Sequence, residues 1–168
     1  VRAVEAFSML DFVERTLPET EKARIYSEVR ANSALLKDMD DMDRMGRNVK
    51  CPFLSAGRCS IYEARPQTCR NYHATNVVGC QQSFEDPTNL DIDPEFAPMV
   101  YQAGGAHVEA FIRAMREEGY DTNVYEMSGA LEAALSQPEA RARFEAKRAP
   151  FKKLPGDDVP GEFEDLDD

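Results

Sequence analysis

The stretch CPFLSAGRCSIYEARPQTCRNYHATNVVGC, residues 51–80, holds every cysteine of the chain: Cys51, Cys59, Cys69 and Cys80. Four cysteines within thirty residues require a physical reason. They can be buried as small apolar side chains, joined as two disulfides, or used as thiolate ligands to a metal. The disulfide reading suits small exported chains that lack a core. The stretch also contains Pro52, Gly57, Pro66 and Gly79, and Gly46 and Pro87 flank it. Long regular elements are therefore not expected between residues 46 and 90, apart from a short helical turn at Arg65–Tyr72 led by Pro66. About forty-five residues of loop need some other source of order, and a bound metal supplies it.

Charge points the same way. The chain carries a net charge of −11, which argues against general binding to nucleic acid. From Arg44 to Cys80, however, six basic residues (Arg44, Arg47, Lys50, Arg58, Arg65, Arg70) accompany one acid, Glu63. Cations beside thiols lower thiol pKa values and offset the negative charge of a thiolate centre. Arg65 and Arg70 are candidates to support such a centre, since a guanidinium can hydrogen-bond the carbonyls of the surrounding loop. His73, four residues past Cys69, is a further candidate ligand, whereas His107 reads as a helix residue. Phe53 and Tyr62 are expected to pack around the site. The cysteine spacing, C-x7-C-x9-C-x10-C, contains neither a C-x2-C knuckle nor a ferredoxin run. On its own it leaves the choice of metal open.

Outside this stretch the chain reads as helix, which defines a mainly α class: a small helical domain with a long cysteine-rich metal-binding loop. Ala6, Leu10, Val13 and Leu17 lie on one face of a helix over residues 3–15. Thr16-Leu17-Pro18-Glu19 has the form of a capping box. It predicts a second helix from Pro18 to Met39 with Ile25, Val29, Leu36 and Met39 inward. Residues 37–45 read as helix end and connector. Asp93-Pro94-Glu95 suggests a short helical turn. Gly104 and Gly105 are expected to precede an amphipathic helix bearing Val108, Phe111, Ile112 and Met115, with Gly119 as its stop. Asn123 is expected to cap a helix through Leu135, and Ser136-Gln137-Pro138-Glu139 to open a last one to about Ala149. The 168 residues predict a single domain over 1–153. Residues 154–168, with seven acids and no Lys or Arg, predict a disordered, solubilising tail. No apolar run of membrane-spanning length and no signal peptide is visible, so a cytoplasmic protein without membrane partners is expected.

The segment CPFLSAGRCSIYEARPQTCRNY resembles the signature of the YkgJ-type cysteine-cluster family, zinc- or iron-chelating domains also described as Fe–S-cluster-containing proteins. Cys51, Pro52, Phe53, Leu54, Gly57, Cys59, Ile61, Tyr62, Arg65, Pro66, Cys69 and Arg70 follow its pattern, with Cys80 as the last cysteine. The resemblance implies that Cys51, Cys59, Cys69 and Cys80 bind a metal, as an iron–sulfur cluster or a zinc ion, in an unknown biological process. The family pattern also has a C-x2-C-x2-C-C run ahead of a helix that often contains Glu-Ala, like Glu5-Ala6 here. These residues lack that run, which is expected to lie upstream of Val1, the alternative being its loss in this member. Some relatives are lysine N-methylases, which makes an enzyme the alternative, although no Gly-rich methyl-donor loop is visible. An interaction module with a structural zinc is the other alternative; the protein partner is unknown.

Overall fold

The computed structural model describes residues 1–89, 91–92 and 94–154. Their architecture is mainly α, with eight helices and one small hairpin. Helix α1 (Ala3–Thr16) and helix α2 (Glu19–Leu36) are joined by Leu17-Pro18, and both pack against the later helix Met127–Ser136. The predicted faces hold: Ala6, Leu10, Val13, Ile25, Val29 and Leu36 are buried, whereas Leu17 and Met39 are half-buried. The capping box at Thr16 does not form. Thr16 is still inside α1, and its hydroxyl donates back to the Phe12 carbonyl at 2.6 Å. A side chain whose backbone is helical cannot turn forward to cap the next helix, so Pro18 occupies that position.

Residues 37–45 are more ordered than a connector. Helix α3 (Asp41–Met45) starts on the Asp40 carboxylate, which accepts from the Asp43 amide at 2.9 Å. Acids in its first turn favour the positive end of the helix. The hairpin comes next, with β1 (Leu54–Ser55) and β2 (Arg58–Cys59) pairing Leu54 with Cys59 and Ser55 with Arg58. Its two turn residues, Ala56 and Gly57, both have positive φ (46° and 74°), as a type I′ turn requires. A 3-10 turn (Tyr62–Ala64), α4 (Gln67–Asn71) and α5 (Val77–Glu85) complete the cysteine segment. The short helix expected near Arg65–Tyr72 is α4, with Pro66 as its N-cap rather than in its first turn. Helix α5 was not expected; Asn76 caps it by accepting from the Val78 and Gly79 amides.

The turn expected at Asp93–Glu95 falls partly outside the described residues. From Pro94 to Ala97 there is no helix; Phe96 instead bridges antiparallel to Ala74. Helix α6 (Pro98–Glu117) runs straight through Gly104 and Gly105, which therefore lie within it and do not precede it. It ends as predicted. Gly119 has φ +77°, the Tyr120 amide bonds the Met115 carbonyl and the Gly119 amide bonds the Arg116 carbonyl, together a Schellman motif. Helix α7 (Met127–Ser136) is capped by Glu126, which accepts from the Ser128 and Gly129 amides. Asn123 is not its cap; its side chain is held in a turn by Asp121. Helix α8 (Ala140–Glu145) is shorter than expected and has no capping box, because Ser136 is still the last residue of α7. The acidic tail from Pro155 onward lies outside the described residues.

The core is built by α1, α2, α7 and α8. Ala3, Ala6, Met9, Val13, Ile25, Val29, Leu131 and Ala140 are fully buried there. Phe7 stacks with Phe144 and Phe151, and Tyr125 meets Phe151 edge-on. Two residues of the cysteine segment, Phe53 and Ile61, enter the same core. Each such burial contributes about 1.5–3 kcal/mol. The Phe53 carbonyl accepts from both the amide and the hydroxyl of Ser60, closing the hairpin over its own anchor. No described helix is long and apolar enough to cross a membrane.

Candidate metal centre

The anchoring of Phe53 and Ile61 decides where the cysteines stand. Pro52 and Phe53 point inward, so Cys51 and Leu54 on either side are left at the surface. Cys59 ends β2 opposite Leu54 and is half-buried. Cys69 lies exposed on α4, and Cys80 half-buried on α5. All four are free thiols, so neither disulfide is formed.

The Cys51 thiol is pushed above the ordinary range, first by burial among neighbouring atoms despite its surface exposure. The Phe53 and Leu54 amides oppose this by donating to its sulfur, and Cys59 is close enough to add repulsion. Burial also pushes the Cys69 thiol up; repulsion from Cys51 and Cys59 adds to it, and the Arg65 guanidinium draws it back. Cys51, Cys59 and Cys69 are thus within electrostatic reach of one another. Among the described residues, however, no three His, Cys, Asp or Glu side chains converge on a common point as a finished ligand set. His73 is exposed just past α4, and His107 is exposed on α6.

The two arginines act on the backbone between the cysteines. Arg65 lies over the Tyr62 ring, 3.7 Å from its centroid, and donates to the Tyr62 carbonyl at 3.2 Å. Arg70 donates to the carbonyls of Arg65 (2.8 Å) and Glu63. Together they clip the turn from Tyr62 to Arg70, which carries Cys69. Tyr62 is 62% exposed, so its packing is to Arg65 and not to the core.

Two residues missed in the sequence position this segment. Glu5 of α1 accepts from the Gln67 amide at 2.8 Å through one carboxylate oxygen and from the Arg2 amide at 2.8 Å through the other. It ties the first turn of α4 to the core, and no spacing rule pairs residues 62 positions apart. Asn71 of α4 is seated against α6 at Gly104, where a Cβ would stand 1.7 Å from Asn71 Oδ1.

The donor chemistry suits a thiolate-bound metal. Cys51 accepts amide hydrogen bonds and Cys69 has a guanidinium beside it, both of which stabilise negative sulfur as zinc and iron require. A mainly helical protein with such a thiol-rich side loop has the make-up of a metal chelator. Residues 12–93 match the model of the CxxCxxCC family, described as a "putative zinc- or iron-chelating domain". The match supports that family for the segment holding all four cysteines. The run that names the family does not occur in these 168 residues. No curated protein and no solved structure matches the chain.

Proposed function

We propose that the protein binds zinc or iron, the latter as an iron–sulfur cluster, through thiolates of Cys51, Cys59, Cys69 and Cys80. The observation that carries this reading is the neighbourhood of Cys51, Cys59 and Cys69. Cys51 precedes β1, Cys59 ends β2 and Cys69 lies on α4, and the charge of one reaches another. Cys59 packs against the core, but Cys51 and Cys69 are exposed and have no packing reason to stand near it. A soft cation bound by all of them removes their mutual repulsion and their protons together.

The amides of Phe53 and Leu54 hold negative charge on Cys51, and Arg65 does so beside Cys69. Arg70 keeps the intervening turn closed. Closing the ligand set brings Cys80 in from α5, while Phe53 and Ile61 remain fixed in the core. When bound, the metal links these loops; as a cluster it would also exchange electrons. His73 is exposed and is not needed for four-coordination.

Single Cys→Ser variants test the ligand assignment. Metal per chain should fall sharply in C51S, C59S and C69S, with the helical signal of the core retained. H73A should leave it unchanged. Full metal content in C51S, C59S and C69S alike would reject the assignment.

A further inference from the structure

Helix α6 is attached in two unlike halves. Its C-terminal half is secured: Met115 packs on the core and the Gly119 turn fixes its end. Its N-terminal half, from Pro98 to Gly105, has no buried residue. Its described anchor on another helix is α4, through Asn71 at Gly104. That anchor is a fit of shape and little else. Asn71 Nδ2 reaches the Tyr101 carbonyl only at 3.5 Å, and buried Asn71 Oδ1 has no hydrogen-bond partner. Between the halves stand Gly104 and Gly105, adjacent residues that cost a helix interior more than any other non-proline type.

A marginal latch next to a weak point in a helix is the make-up of a hinge. The latch residue is two positions from Cys69, on a five-residue helix too short to stand alone. We infer that Gly104-Gly105 is a hinge latched by Asn71, and that metal occupancy at Cys69 sets whether Pro98–Gly105 is docked. The inference rests on the metal-binding reading above. A metal on Cys69 fixes α4 and so presents Asn71 to Gly104. Without it, α4 keeps only the Glu5 cap and the arginine clip, and the docked arrangement is populated less. The released half would uncover half-buried Phe96, on which Tyr101 is tilted at 5.6 Å and which the already exposed Tyr72 meets edge-on at 5.1 Å.

Hydrogen exchange read by mass spectrometry tests this on the full chain, zinc-loaded and after chelation, with zinc per chain measured on the same samples. Amides of residues 98–105 should exchange at least about tenfold faster after chelation, while those of α7 do not change. N71A, which removes the latch without strain, should keep its zinc and show fast exchange at 98–105 in both states. Stoichiometric zinc with identical exchange at 98–105 in the two wild-type states overturns the hinge coupling alone. A slow, zinc-dependent pattern surviving in N71A overturns the latch. Failure to take up either zinc or iron on reconstitution overturns the coupling together with the metal-binding reading.

Discussion

The helical core and the cysteine segment are stabilised by different physics. In α1, α2 and α7 the inward faces are sealed: Val13, Ile25, Val29 and Leu131 have no exposure at all. Helices α4 and α5, which carry Cys69 and Cys80, and the longer α6 after them contain no buried residue. Instead Val77, Phe84 and Met99 are 75%, 66% and 77% exposed. Apolar burial holds the first region. The second hangs from it by Phe53 and Ile61 and by the Glu5 cap, while arginine contacts to backbone close its own turn. A region with so little burial must take its order from elsewhere, and its thiols are the groups able to provide it.

The contrast can be broken from the core side. Leu131→Ala, in a site with no exposure, should destabilise the whole protein by about 2–5 kcal/mol in urea denaturation. The fraction that remains folded should still bind metal stoichiometrically. Loss of metal binding at full helicity in this variant would mean that the two regions are not separable.

A smaller effect probes the tie between the regions. Glu5→Ala removes the acceptor of the Gln67 amide. The cysteine segment should lose about 1 kcal/mol, the usual worth of a helix N-cap. Zinc titration should show roughly fivefold weaker binding, with the far-UV circular dichroism unchanged.

The smallest effect concerns pH. The Cys51 and Cys69 thiols are raised in the folded protein, both chiefly by burial. A raised thiol favours folding while protonated. Its contribution is fully present below the unfolded thiol value of about 8.5 and is lost as pH rises through the folded value. Metal-free protein should therefore lose stability gradually above about pH 8.5, read as a falling denaturation midpoint, and C51S/C69S should flatten that fall. With metal present the sense reverses: binding must displace both protons, so affinity rises with pH over the same range.

Legibility in the sequence divided along the same line. The core faces of α1 and α2 were readable because apolar periodicity is a local signal of burial. Helix ends were less so. Thr16 and Ser136 each sit three residues before a Glu, yet both remain inside the preceding helix, so the capping pattern was present without its geometry. Gly104-Gly105 looked like a helix start because glycine is costly inside a helix. Asn71 accounts for the first of them, since a Cβ at residue 104 would have to displace its side-chain amide. The hairpin was missed because its strands are two residues long, too short for alternation to show. Of the site, the cysteines were legible as a cluster by count and charge. Their mutual placement was not, because it depends on Phe53 and Ile61 reaching a core built mostly by residues far from them in the chain.

The central claim is that these thiols hold a metal. Metal content, acid-labile sulfide and the visible spectrum, measured on protein purified without oxygen, test it most directly. The account predicts stoichiometric metal: either colourless protein with zinc, or brown protein with iron and sulfide. Metal-free protein that takes up neither zinc nor iron on reconstitution would contradict it.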